Sequence, residues 1–115
     1  MSGKSNTEKT KAQMRKGVLE LCILAIMKDE EAYASDIIRQ MKEAQLIVVE
    51  GTLYPLLTRL KNEGLLDYRW EESKSGPPRK YYRITSDGRK TLDELRESWE
   101  ELNKSVLKIT KTLNK

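Results

Sequence analysis

One stretch constrains this chain more than any other: GTLYPLLTRLKNEG, from Gly51 to Gly64, followed by LLDYRWEES, a turn SGPP and then RKYYRIT. At about 100° per residue, Leu53, Leu56, Leu57 and Leu60 share one helix face, and Gly51, Pro55, Thr58 and Asn62 centre the opposite one. Thr52, Tyr54 and Arg59 flank that outer face, which is therefore small, polar, aromatic and positive rather than an acidic, merely solvated surface. Beyond it, Leu66, Tyr68 and Trp70 alternate with Asp67, Arg69 and Glu71, and Tyr82 and Ile84 alternate with Tyr81 and Arg83. Period two on both sides of Ser75-Gly76-Pro77-Pro78 predicts an antiparallel hairpin. A short helix feeding a hairpin with a basic tip is the layout of a DNA-reading helix with a wing, and such a face suits phosphates and base edges. For Lys74, Arg79 and Lys80, phosphate or minor-groove contact is favoured over an ordinary solvated tip, because these charges would lie beside the helix face. Tyr68, Trp70 and Tyr82 are open to a simpler role as core cover, the preferred reading for Trp70.

Charge supports a polyanionic partner more through its placement than its total. The formal charge is +4, from 22 basic and 18 acidic residues among 115. Lys4, Lys9, Lys11, Arg15 and Lys16 oppose only Glu8 at the amino end, and Arg69, Lys74, Arg79, Lys80 and Arg83 oppose Glu71 and Glu72 in the ribbon. The length predicts one domain with a modest core, in need of a partner for full stability. The single Cys22 excludes an internal disulfide and fits a reducing cytoplasm. The apolar run Val18 to Met27 is short and interrupted by Glu20, so neither a membrane span nor a secretory signal is expected. With no histidine and one thiol, no metal site, cofactor or catalytic pair can be assembled, and the chain is not expected to be an enzyme.

Along the chain, residues 1–10 are polar and rich in Ser, Thr and Lys, and are expected to form a flexible basic arm. From about Lys11 to Lys28, Met14, Val18, Leu21, Leu24 and Ala25 follow one helical stripe, thickened by Cys22, Ile23, Ile26 and Met27. Either this is a central core helix, or Met14 and Val18 line an interface or a ligand cavity. Ser35 is the expected cap of a second helix carrying Ile37, Ile38 and Met41 and ending near Ala44. Leu46 to Val49 is a strand stub or an extended link that could pair with the ribbon. The third helix then starts near Glu50 or Gly51, within the limit set by Pro55, and Gly64 stands where a left-handed cap is expected.

The last helix begins after Thr85 or Ser86, and Leu92, Leu95, Trp99, Leu102, Val106, Ile109 and Leu113 recur at alternating spacings of three and four. That is a heptad seam of three repeats, too long for a small domain to cover, so a second copy of the chain is the natural partner. Its rival is an amphipathic helix folded back on its own core. The predicted architecture is mainly α with a small β-hairpin wing: a winged helix-turn-helix over residues 11–85, then a dimerisation helix over 86–115.

The segments MRKGVLELCILAIM, EAYASDIIRQM, VVEGTLYPLLTRLKNEGLL, SGPPRKYYRIT, SDGRKTLDEL and ESWEEL, in this order, resemble the PadR family of bacterial winged-helix transcriptional regulators, in its smaller subclass with one carboxyl-terminal dimerisation helix. EGTLYP with RL…EGLL and the GPPRKYYRIT wing are the specific parts. The resemblance implies a homodimer on a two-fold related double-stranded DNA operator, usually a repressor that lets go when a small molecule binds. It implies that Thr52, Tyr54 and their neighbours face DNA and that the wing around Arg79 and Lys80 grips the backbone or minor groove. Similar multidrug-responsive members stack flat aromatic compounds on paired tryptophans at the dimer centre, the position of Trp99; a plain packing role is the alternative. Two departures stand out. Tyr33-Ala34-Ser35 replaces the usual Tyr-Gly-Tyr, and Val49 replaces the usual Ser or Asn cap, so the third helix is expected to start a residue or two late. A winged-helix protein-interaction module that reads no DNA is the alternative function.

Overall fold

The computed structural model describes the backbone of residues 2–114 and the side chains of residues 7–113. Helix α1 spans Ser2–Ile26, α2 Ala34–Glu43 and α3 Glu50–Asn62; strands β1 (Leu66–Ser73) and β2 (Gly76–Ile84) form the hairpin; α4 spans Ser86–Thr110 and tightens into a 3-10 turn, Lys111–Asn114. The fold is a winged helix with a long carboxyl-terminal helix, the architecture expected from the sequence.

Helix α1 differs from the expectation in two ways. It runs unbroken from Ser2, so residues 2–10 continue the helix rather than forming a separate arm. Lys4, Glu8 and Lys9 are the good helix formers of this stretch, and Lys11 pairs with Glu8 one turn back at 3.6 Å. Its buried stripe is also shifted. Leu19, Ile23, Leu24 and Met27 enter the core, whereas Met14 and Ala25 are exposed and Val18, Leu21, Cys22 and Ile26 are partly buried. Only the second half of the helix has the other elements to pack on.

Helix α2 is capped by side-chain chemistry one position away from the expected one. The boundary residue is Tyr33, whose backbone N–H donates to the Asp36 carboxylate at 3.0 Å, and Ser35 lies inside the first turn. At its other end the Leu46 N–H donates to the Met41 carbonyl and Gln45 takes φ 66°, a Schellman closure held by a residue with a Cβ. The same closure ends α3, where Leu65 N–H reaches Leu60 and Gly64 takes φ 80°, as Gly64 was expected to do. Helix α3 starts at Glu50 with no delay: Val49 is its boundary residue without a side-chain bond, and the Val49 carbonyl accepts from Thr52 and Leu53.

The hairpin is antiparallel, with Leu66 opposite Ile84, Tyr68 opposite Tyr82 and Trp70 opposite Lys80. Its link is Lys74-Ser75, two residues earlier than the expected turn, and Pro77 and Pro78 lie within β2 where the register shifts by a bulge. Proline has no N–H for a ladder, and a bulge at the tip of a two-stranded edge is where it costs least. Leu46–Val49 remains an unpaired extended link. The ribbon's third partner is Ala32, whose N–H and carbonyl exchange bonds with Tyr82 at 2.9 and 2.8 Å. Leu53, Leu57 and Leu60 of α3, Ile37 and Met41 of α2, Leu66 and Tyr82 of the ribbon and Leu92 of α4 close the core around α1. Thr85 caps α4 by accepting from the Gly88 N–H at 3.0 Å. A Cβ at Gly88 would stand 2.1 Å from the Leu65 carbonyl oxygen, so glycine lets α4 seat against the hairpin's entrance.

Candidate nucleic-acid interface

Burying Leu53, Leu57 and Leu60 turns the opposite side of α3 outward. Gly51, Thr52, Tyr54, Pro55, Thr58, Arg59 and Asn62 are all exposed. Pro55 sits inside the helix and has no N–H for the Gly51 carbonyl, a loss that is least costly on the exposed side where both residues lie.

On one flank of this ridge lies an open cleft of about 450 Å3 between α3, the start of α2 and the wing. Tyr54 and Thr58 form one wall; Trp70, Pro78, Arg79 and Lys80 form the other. Tyr33, Ala34 and Ser35 at the start of α2 and the acidic Glu50 at the start of α3 also line this cleft, and none of them is among the contacts expected from the sequence. The signal available was the departure from Tyr-Gly-Tyr: a segment entering a helix beside the wing was bound to contribute its side chains there. Trp70, expected to cover the core, is 60% exposed. Leu66 and Tyr68 share its strand face, but that face outruns the core, so its last member projects into the cleft beside α3.

The wing's cations are held on aromatic faces. The Arg79 guanidinium lies 4.0 Å from the Tyr33 ring centre, Tyr33 packs on Tyr81 at 4.6 Å, and Arg69 covers Tyr81 from beyond at 4.8 Å. The Lys80 ammonium sits 4.7 Å from the Tyr68 ring centre and 5.6 Å from that of Trp70. Each such contact contributes about 0.5–1 kcal/mol at an exposed site, and it fixes a charge without neutralising it. Arg69 is different: it pairs with Glu31 at 3.2 Å and with Glu71, so its charge is spent within the wing. Lys74 stays exposed at the link. Tyr82 sits beneath the cleft, and burial raises its phenol above the ordinary value, with Tyr54 and Tyr68 adding to the shift. At the wing's base the Tyr68 N–H and then the Arg83 guanidinium hold the Asp67 carboxyl below its usual range.

Arg59 is exposed as expected, and it is also engaged within the chain. Its guanidinium reaches Glu20 of α1 at 2.5 Å and Glu63 at 3.2 Å, away from the wing. The Glu20 hydrogen bond leads the effects that raise its pKa. Two carboxylates more than offset its charge, and the side chain ties α3 to α1.

A second cleft, of about 570 Å3, opens between α1 and α4 and is almost wholly apolar. The structure brings Trp99, Met14 and Val18 together there, with Leu46, Leu102 and Val106. Along the α4 seam, Leu92 is buried in the chain's own core and Leu95 packs against it, so the first of these is not free for a partner. The remainder is uncovered: Trp99 is 42% exposed, Leu102 57%, Val106 47%, Ile109 77% and Leu113 79%.

A half-buried helix with a small polar outer face, flanked by a wing bearing ring-mounted cations, defines the class as a winged-helix DNA-binding protein. Residues 23–94 match the transcriptional regulator PadR-like family, and the chain belongs to that family. It is 62% identical to a PadR-like transcription factor of Bacteroides fragilis whose structure superposes with TM-score 0.74, over 88% of this chain and 98% of the other. A PadR family transcriptional regulator of Eggerthella lenta is 30% identical, with TM-score 0.87 over 97% and 98%. The transcriptional regulator Rv3488 of Mycobacterium tuberculosis is 34% identical over 95 residues, covering 83% of this chain and 88% of that protein. The protein is a transcriptional regulator and not an enzyme, and the family does not favour the reading as a protein-interaction module. Among the described residues, no helix is long and apolar enough to cross a membrane.

Proposed function

We propose that the protein acts in the cytoplasm as a homodimeric repressor, binds a two-fold symmetric DNA operator, and is released by a planar aromatic ligand held at Trp99. One observation carries this reading. Trp99, Leu102 and Val106 belong at once to the uncovered seam of α4 and to the wall of the apolar cleft. A second copy packed along the seam roofs that cleft, and an indole at a seam position is bulky enough to hold the helices apart and leave room for a flat ring system. Burial of the seam at ~25 cal/mol per Å2 of apolar surface favours a stable pair.

The geometry of release follows from the same residues. Two recognition helices must enter successive major grooves about 34 Å apart, and the paired α4 helices set their separation. A ring system wedged at Trp99 favours separations that fit DNA poorly and so shifts the population away from the bound state. A dimer astride promoter DNA excludes polymerase, which makes repression the expected sign of control.

The test uses the full chain, with Trp99→Phe as the fluorescence control that reports the Trp70 signal alone, and a labelled duplex from the promoter of its own gene. Planar aromatic compounds are expected to quench Trp99 and to release the duplex over the same concentration range. Quenching with unchanged DNA affinity would remove the coupling. A lone subunit in sedimentation at micromolar concentration would remove the dimer.

A further inference from the structure

The ridge of α3 has a second flank. Opposite the wing, α1 and α3 enclose a cleft of about 620 Å3 whose lining includes Lys16, Gly17, Glu20, Gly51, Thr52 and Arg59. We infer that this cleft receives the DNA phosphodiester backbone and that Lys16 is its phosphate ligand, an inference that rests on the reading of α3 as the helix that enters DNA.

The first support is dimensional. A helix with its side chains is about 10–12 Å across, and the major groove of B-form DNA is about 12 Å wide. A helix that fills the groove therefore has one sugar-phosphate strand on each side. The wing cleft takes one strand, and the α1–α3 cleft lies on the side where the other must run.

Charge accounts for the choice of residue. Arg59 is engaged by Glu20 at 2.5 Å and Glu63 at 3.2 Å, which leaves it little to offer an anion. Among the described residues Lys16 has no ion pair within 4.0 Å, so its ammonium is the cation of the cleft that is not held by a carboxylate. Its one neighbouring acid, Glu20, is already held by Arg59, and that pair also anchors α1 at a fixed height beside α3. The exposed Thr52 hydroxyl stands on the facing wall as a neutral donor.

Two glycines point the same way. Gly17 lies in mid-helix, where glycine costs up to about 1 kcal/mol against alanine, and Gly51 lies in the first turn of α3. A Cβ at either would meet nothing within 4 Å, and neither backbone takes positive φ. No contact inside the chain calls for glycine at these positions. Their effect is an open cleft floor that a bulky group from outside can approach.

Phosphate contacts are independent of sequence, so a labelled mixed-sequence duplex of about 30 base pairs serves as the probe, titrated from 50 to 200 mM salt. Lys16→Gln keeps most of the side-chain stem and the helix. Arg79→Gln reports the wing, and Lys108→Gln on α4 reports the loss of one distant charge. At a slope of about 0.9 per phosphate, the parent is expected to lose about 3.5-fold more affinity than Lys16→Gln across this range for each Lys16 in contact. Lys108→Gln is expected to keep the parent slope. If Lys16→Gln keeps the parent slope while Arg79→Gln flattens it, the α1–α3 cleft is no phosphate site and the DNA reading stands. If Lys108→Gln flattens the slope as much as Lys16→Gln, the effect is long-range charge and the proposal fails. If the parent itself shows no salt-dependent binding, the DNA reading of α3 fails first. A changed sedimentation of Lys16→Gln with an unchanged salt slope would place Lys16 at a subunit contact instead.

Discussion

The body of the molecule and its two long helical ends treat apolar surface in opposite ways. In the body, Ile23, Leu24, Ile37, Leu57 and Leu60 are fully buried, and no buried side-chain polar atom among the described residues is left without a partner. Along the ends, Met14 of α1, the seam residues Trp99, Leu102, Val106 and Ile109 of α4 and Leu113 of the turn that follows are 42–79% exposed. The body therefore closes its core and leaves large apolar side chains exposed only at the link before α3 and on the α3–wing face, whereas the ends leave a continuous seam uncovered. In the function proposed above, the contrast assigns the body to DNA reading and the ends to pairing.

The comparison breaks most sharply in the body. Leu57→Ala is expected to cost about 2–5 kcal/mol, through lost transfer energy and the cavity left behind, and to lower the unfolding midpoint in urea. If the ends obey the other rule, Leu102→Glu does little to the body's own core. It is expected instead to raise the dimer dissociation constant at least about 100-fold, roughly 2.7 kcal/mol, because a charge enters the seam. Sedimentation across a concentration series separates the two variants. An unchanged association with Leu102→Glu would mean that the seam folds onto something else.

These two regions were not equally legible in the sequence. Periodicity exposed α3, the hairpin alternation and the α4 seam, because each repeats one physical rule over many residues. The apolar pattern of α1 selects Met14 and misses Leu19, since a helix that is apolar on several sides offers no unique stripe. Alternation points Trp70 at the core because it tells which strand face a residue occupies but not where the core ends. Arg59 belonged to the outer face by angle, yet Glu20 lies 39 residues away, and that pairing becomes visible only when α1 and α3 meet. The Tyr33–Tyr81 and Arg79–Tyr33 contacts were hidden for the same reason.

Smaller effects sharpen the picture within the reader. Tyr33→Ala removes the ring beneath Arg79 and the neighbour of Tyr81, and is expected to weaken duplex binding about 5–10-fold, near 1–1.4 kcal/mol, while leaving the fold intact. Tyr33→Phe, which keeps the ring, is expected to bind as the parent does. Equal loss in both would assign the role to the hydroxyl and not to the stack. Gln45→Gly acts on the body alone. The left-handed backbone at Gln45 carries a Cβ penalty that Gly64 avoids, so this change is expected to stabilise by about 0.4–1 kcal/mol in urea unfolding without altering DNA affinity.

The smallest expected effect concerns Cys22, where α1 passes from its exposed half into the body. Burial pushes the thiol above its ordinary value, because the thiolate loses solvation there. A group whose folded pKa is raised adds stability that is fully present below its unfolded pKa, near 8.5, and is lost as pH climbs through the folded value. Stability is therefore expected to fall slightly above about pH 9 in the parent and less so in Cys22→Ala after correction for its lower starting point. Alkylation by iodoacetamide at pH 8 is expected to be slow in the folded protein and fast in urea. Rapid labelling of the folded chain would show that this part of α1 opens readily. In that event the body would reach less far along α1 than Leu19 and Ile23 indicate, and the boundary between the two regions would move toward Met27.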